Sequence, residues 1–252
     1  MAEESPLQAW LLRLADNAVV LSHRLSEWCG HGPVLEEDLA LSNIALDLIG
    51  QARMWLTYAG EVEGAGRDED QLAYLRDACD YRNVLLVEQP NGDFAFTMAR
   101  QFYFDAWHYH MLKALTVSSA PRVAGIASKG LKEVTYHLGR SSEWVVTLGD
   151  GTEESHRRMQ TAIEELWMYT GELFEMDATE QTMADAGIGA DLATLRDPWL
   201  GHVQSTLSEA TLTAPQGGWM QRGGKRGIHS EHLGYVLAEM QFLQRAYPGA
   251  TW

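Results

Sequence analysis

The sequence predicts an all-α protein. Apolar residues recur at spacings of three and four over long windows, whereas alternating runs of β-branched residues do not occur. The chain has 252 residues, of which 46% are hydrophobic, so it is long enough to bury a full core. No long linker interrupts the helical pattern. We therefore predict one domain over residues 1–252.

Two long helices are predicted at the start of the chain. The first covers about 6–28, because Pro6 suits a first helical turn and Cys29-Gly30 suits the end. The second covers about 33–63 and ends before a glycine-containing loop. Their apolar seams are Leu7, Leu11, Leu14, Ala18, Leu21, Leu25 and Trp28, and then Leu41, Ile44, Leu48, Gln51, Trp55, Tyr58 and Val62.

Two more long helices are predicted at about 94–117 and 121–148. Asp93 is a suitable N-cap for one of them, and Pro121 opens the other. Their seams are Phe94, Met98, Gln101, Asp105, His108, Leu112 and Leu115, and then Val123, Ala127, Gly130, Val134, His137, Ser141, Trp144 and Leu148. All four seams alternate between spacings of three and four, which is typical of helices packed at a shallow angle in a four-helix bundle.

Shorter helices are predicted in the rest of the chain, at about 68–81, 152–174, 179–186, 192–212 and 231–246. The long helices form two pairs, each joined by a short turn, with a long crossover between the pairs. This order predicts a ferritin-like four-helix bundle with additional C-terminal helices.

Such a bundle is a known frame for a di-iron centre, which takes one Glu from each of two helices and Glu-x-x-His from each of the others. The seams place the six equivalent positions at Ala18, Leu48, Gln51, Asp105, Val134 and His137. Only Asp105 and His137 have metal-binding side chains among them. We therefore expect no di-iron centre and no bound metal in this chain.

Five polar residues fall on or beside the interior seams and need partners there, namely Gln51, Asp105, His108, Glu133 and His137. The interpretation we favour is a buried hydrogen-bonded cluster in which Asp105 holds a histidine. The alternative is a mononuclear non-haem iron or zinc enzyme, with Asp105, His108 and His137 as a two-His-one-carboxylate set.

The net charge of −16 repels phosphate backbones and anionic membranes, so we expect neither nucleic acid nor a membrane as a partner. No signal peptide or membrane span is evident, which favours the cytoplasm. The basic cluster Arg222, Lys225 and Arg226 could contact an anion or a partner, or could be a solvated loop. Cys29 and Cys79 are expected to be buried.

Longer segments carry a resemblance to a known family. They are LSEWCGHGPVLEEDLALSNIALDLIGQAR, LLVEQPNGDF, DAWH, KEVTYHLGRSSEW, LGDGT and GGKRGIHSEHLGYVLAEMQFLQRAYPG. From about Leu7 to Trp252 the chain resembles the PaaC-type structural subunits of bacterial phenylacetyl-CoA 1,2-epoxidases, which act in phenylacetate catabolism.

The resemblance implies a non-catalytic subunit of an NADPH- and dioxygen-dependent monooxygenase complex. It implies that di-iron belongs to a catalytic PaaA-type partner, that NADPH and flavin belong to a reductase, and that this chain binds no cofactor. The chain would join a hetero-oligomer with the PaaA-type and other epoxidase subunits; a homodimer of the isolated chain stays open. Trp167, Trp199 and Trp219 lie outside the long seams and are candidates for the partner surface.

Overall fold

A computed structural model describes residues 5–250 of the chain, and over this range it contains helices and no strand. The α-helices in that range are α1 Pro6–Ser26, α2 Leu35–Glu63, α3 Glu69–Tyr74, α4 Leu85–Glu88, α5 Phe94–Leu115, α6 Pro121–Gly149, α7 Glu153–Trp167, α8 Ala178–Asp185, α9 Leu192–Glu209, α10 Glu231–Met240 and α11 Phe242–Ala246. The predicted all-α class is confirmed. None of these helices combines the length and apolar character needed to cross a bilayer.

The long helices begin where the sequence predicts. Ser5 Oγ accepts a hydrogen bond from the backbone N of Gln8 (3.2 Å) at the start of α1, and Asp93 caps α5 in the same way through Phe96 (2.9 Å). Helices α1 and α5 end at Ser26 and Leu115, slightly earlier than predicted. The chain tightens after α1 and α5, where Trp28 N bonds to Leu25 O and Val117 N to Ala114 O, and these three-residue turns end the α-helical pattern.

Several predicted shorter helices are also shorter or divided. The segment 68–81 consists of α3 followed by a 3₁₀ turn at Ala78–Asp80, and 152–174 consists of α7 followed by a 3₁₀ turn at Gly171–Phe174. Helix α9 ends at Glu209. The last predicted helix is divided into α10 and α11 at Gln241.

The described residues form two compact units, one from residues 5–89 and 223–250 and the other from residues 90–222. In the first unit α1 packs along α2, and α4 and α10 also contact α1. Its core includes the fully buried Leu11, Leu21, Leu25, Leu41, Leu48 and Trp55. The organisation as a single domain stays a prediction.

Buried ionic contacts hold the first unit together beyond its apolar core. Arg76 pairs with Asp16, whose Oδ2 also accepts from the backbone N of Arg82 (2.8 Å). Glu88 is fully buried and accepts from His229 Nδ1 (2.8 Å) and from Ser230 N (2.7 Å). These contacts attach both the segment after α3 and the C-terminal segment to this unit.

The surroundings of His229 favour its charged form. Its Nδ1 faces the Glu88 carboxylate and its Nε2 lies 3.0 Å from the Tyr81 carbonyl oxygen, so both ring nitrogens face acceptors and both must donate. Burial opposes the charged form, but the hydrogen bond and the charge of Glu88 outweigh it and raise the pKa of His229.

The second unit is built around α5, which is buried along most of its length because α6, α7 and α9 pack against it. Trp199 Nε1 donates to the Tyr103 carbonyl oxygen (3.0 Å), and its ring stacks on Trp167 at 5.8 Å between centroids. Trp199 is only 2% exposed, so the prediction that it lies on a partner surface is wrong. Trp219 is 68% exposed.

Both cysteines are exposed, contrary to the expectation that they are buried. Cys29 lies in the turn that follows α1, and Cys79 lies in the 3₁₀ turn after α3. Neither residue belongs to a helix face that packs on a neighbour, which is why a small apolar side chain is not enclosed there.

Gly224 gives a test of how tightly the C-terminal segment is packed. A Cβ atom at Gly224 would collide with the Asn83 carbonyl oxygen, whereas a Cβ atom at Gly50 in α2 meets nothing within 4 Å. We expect Gly224→Ala to lower the free energy of unfolding by about 2 kcal/mol or more. We expect Gly50→Ala to raise it by up to ~1 kcal/mol, because alanine favours the helix. Urea denaturation followed by circular dichroism measures both, and equal effects would contradict this packing.

Candidate functional site: a buried polar cluster

The centre of the polar cluster is Asp105 on α5, in the second unit. Its carboxyl group is 0% exposed. Gln101 Nε2, one turn earlier on the same helix, donates to Oδ1 at 2.6 Å, and Ser141 on α6 lies 2.9 Å from Oδ2. The hydrogen-bond partners of Asp105 are thus an amide and a hydroxyl, and not a histidine as predicted.

Burial controls the charge of this carboxyl group. Removal from water raises the pKa of Asp105 to about 8, although the hydrogen bonds with Ser141 and Gln101 act in the opposite direction. Asp105 is therefore mainly neutral at pH 7. The surroundings suit the protonated form, because Ser141 Oγ also lies 3.4 Å from the Leu138 carbonyl oxygen. The Ser141 hydroxyl can accept a hydrogen bond from the protonated carboxyl group of Asp105 and donate a hydrogen bond to the Leu138 carbonyl.

Two histidines lie in the same unit, and both are buried. The ring of His108 contacts Phe104 and Trp107, with centroids 5.1 and 6.3 Å away. Burial, assisted by the charge of His137, lowers the pKa of His108 to about 3, so this imidazole is neutral at pH 7. The His108 ring is therefore in contact with aromatic side chains, and it forms no ion pair with Asp105.

The fifth predicted member of the cluster, Glu133, is only half-buried and does not belong to a sealed core. Gln101 and Ser141 were missed as partners of Asp105, although helical spacing contained the signal. Gln101 precedes Asp105 by four positions, and Ser141 follows His137 by four, so each lies one turn from a predicted polar residue on the same face.

The six positions predicted for di-iron ligands differ in chemistry. In the first unit, Ala18 and Leu48 are buried apolar side chains and Gln51 is a buried amide; in the second unit, Val134 is a buried apolar side chain beside the polar Asp105 and His137. Alanine, leucine and valine have no donor atom for a metal. The residues present therefore do not fit the four-carboxylate, two-histidine set of a di-iron centre.

A mononuclear centre is not assembled either among residues 5–250. No three His, Cys, Asp or Glu side chains in that range lie together in a group that could hold a metal ion, and this includes the set Asp105, His108 and His137. The described geometry thus provides no ligand set for the mononuclear alternative.

The basic cluster is divided in the structure. Arg222 and Arg226 are exposed, whereas Lys225 is buried, so Lys225 does not lie on the surface as a solvated loop residue would. The reason is the close packing of the glycines around it. A Cβ atom at Gly227 would collide with the Cys79 carbonyl oxygen, so this loop lies directly on the segment that follows α3.

Comparison with known proteins agrees with the helical fold. Residues 1–252 match the family model described as phenylacetic acid catabolic protein, and the chain belongs to this family. The family is ferritin-like, which confirms the predicted fold class.

One relative is similar to this chain along its whole length. The chain is 52% identical over 246 residues to the C-type subunit of the 1,2-phenylacetyl-CoA epoxidase of Escherichia coli (strain K12). The alignment covers 98% of this chain and 99% of that relative, so the similarity extends over the whole of both proteins.

The neutral state of Asp105 predicts a pH dependence of stability. The pKa is about 8 in the folded protein against a reference value of 3.8, so between these values the folded state keeps a proton that the unfolded chain has lost. The free energy of unfolding should therefore fall as pH rises from about 4 to about 8, by at most about 1.4 kcal/mol per pH unit from this group.

Asp105→Asn should remove that contribution, because an amide cannot ionise. Urea denaturation of both proteins at several pH values tests this: the stability of the variant relative to the natural chain should increase with pH up to about 8. Asp197→Asn, at an exposed position of α9, is the matched control. A difference between Asp105→Asn and the natural chain that does not change with pH would contradict a neutral Asp105.

Proposed function

We propose that this chain is the non-catalytic, structural subunit of a multicomponent monooxygenase that converts phenylacetyl-CoA to its ring-1,2-epoxide. The observation that carries the proposal is the 52% identity to the C-type subunit of a phenylacetyl-CoA epoxidase over nearly the full length of both proteins. In this proposal the chain supports a catalytic di-iron subunit of the PaaA type. NADPH and flavin belong to a separate reductase, and the complex resides in the cytoplasm.

The chemistry of the buried cluster supports a non-catalytic role. Activation of dioxygen at two irons needs several carboxylates that hold the metals and leave open coordination positions. Here the predicted ligand positions include Ala18, Leu48 and Val134, and the carboxyl group at Asp105 is neutral and hydrogen-bonded. The polar residues that are left act as hydrogen-bonding groups within the core.

Access to the cluster supports the same role. Asp105 and His137 are 0% exposed, and Ser141 is 2% exposed. A reaction on a coenzyme A ester requires that the reacting atoms of the substrate meet the catalytic group. A fully enclosed cluster offers no such meeting point, so in the proposed complex the epoxidation takes place on the partner subunit.

Metal analysis and co-purification test the proposal together. The chain is expressed alone in iron-supplemented medium and also with its cognate catalytic subunit, and each product is analysed by size-exclusion chromatography and elemental analysis. We expect less than about a tenth of an iron per isolated chain, and a stable complex whose iron follows the catalytic subunit, with about two irons for each such subunit.

The two parts can fail separately. About two irons per isolated chain would contradict the non-catalytic role. Elution of the two chains as separate species, with each of them folded, would contradict the role as a supporting subunit. The catalytic subunit expressed alone is the control that shows how much of its iron content depends on this chain.

A further inference from the structure

The outward face of α2 has an apolar stripe that no element of the described chain covers. The stripe consists of Leu35, Leu39 and Leu46, which are 70%, 55% and 67% exposed. The opposite face of the same helix holds the buried Leu41, Ile44 and Leu48. Helix α2 therefore has two apolar faces, and only one of them is needed for the core of its own unit.

The spacing of the stripe fits a second helix. The intervals along the stripe are four, three and four residues, from Leu35 to Leu39, Ser42 and Leu46. The small, half-buried Ser42 leaves a shallow depression between the leucine side chains. This is the alternation that packs a neighbouring helix at a shallow angle. At about 1.5 Å per residue, the three leucines cover about 16 Å of helix.

The stripe is not a requirement of the helix pair itself. Leu48 in α2 and Val134 in α6 are predicted to occupy equivalent positions in the two helices. With the same residue offset, the three stripe leucines are equivalent to Pro121, Gly125 and Lys132 of α6. These three residues are also exposed, but none of them is a large apolar side chain. The corresponding helix of the other unit thus has no such stripe, which indicates a use specific to α2.

The charges around the stripe favour a different chain over a second copy of this one. The exposed carboxylate of Glu36 lies beside it, and the whole chain has a net charge of −16. Two copies paired through this face would bring like charges together. The complementary partner is a helix with an apolar stripe of its own and basic residues at its margins.

We propose that the α2 stripe, formed by Leu35, Leu39 and Leu46, docks such a helix of the catalytic subunit. This inference rests on the proposed function, because it identifies the surface through which the chain supports its partner. The leucines form the apolar centre of that contact, and the acidic charge beside them favours a helix with basic residues.

Charge insertion into the stripe tests the proposal. The full chain carrying Leu39→Lys and Leu46→Lys is co-expressed with the catalytic subunit. The control carries Leu75→Lys and Tyr136→Lys, which adds the same charge at exposed apolar positions elsewhere. We expect the stripe variant to bind the catalytic subunit at least about tenfold more weakly than the natural chain, whereas the control binds normally. Circular dichroism and the melting temperature show whether each variant is folded.

A second measurement does not depend on the variants. Hydroxyl-radical oxidation of the natural chain, read by mass spectrometry, should label the three stripe leucines in the isolated chain and spare them in the complex. Equal oxidation in both states, or normal binding by the folded stripe variant, would overturn the proposal. Loss of self-association in the stripe variant with unchanged binding of the catalytic subunit would also overturn it, in favour of a second copy. If the natural chain does not bind the catalytic subunit at all, the proposed function itself fails.

Discussion

The cost of burying a carboxyl group is the constraint on which the second unit depends. Asp105 lies inside the packing of α5, out of contact with water, and a charged carboxylate there would need a metal or a cation beside it. The partners present are the Gln101 amide and the Ser141 hydroxyl, which are uncharged. The carboxyl group therefore keeps its proton, and the pKa of Asp105 is raised. The neighbouring His108 is neutral for the same reason. Asp105 and His108 are therefore both neutral at pH 7 within a closed core.

Apolar residues at the predicted ligand positions explain how each helix pair can fold without a metal. In a ferritin-like catalyst, inward-facing carboxylates and histidines are held in place by the metals they bind. Apolar residues at Ala18, Leu48 and Val134 need no metal, because their burial stabilises the helices directly. In our proposal, the helices that hold a metal centre in the catalytic subunit provide a docking surface in this chain, and the exposed stripe on α2 gives that surface a location.

Local patterns predicted much of the fold, whereas contacts between distant segments could not be predicted. Pro6, Asp93 and Pro121 mark helix starts through their own backbone chemistry, so these positions were predictable. Lys225 is buried because the glycines beside it pack against carbonyl groups far away in the sequence, and Trp199 is buried because its indole reaches Tyr103 on another helix. For Asp105, the helix face was predictable, but the choice of Ser141 over a histidine as its partner depends on how α5 and α6 pack.

We propose that the buried polar cluster takes no part in the reaction. The most direct measurement is the turnover of phenylacetyl-CoA by the reconstituted complex in which this chain carries Asp105→Asn together with His137→Gln. We predict a kcat per catalytic subunit within about twofold of that of the natural complex, provided that the complex assembles. A loss of about a hundredfold or more in kcat, in a complex of unchanged composition and iron content, would contradict it.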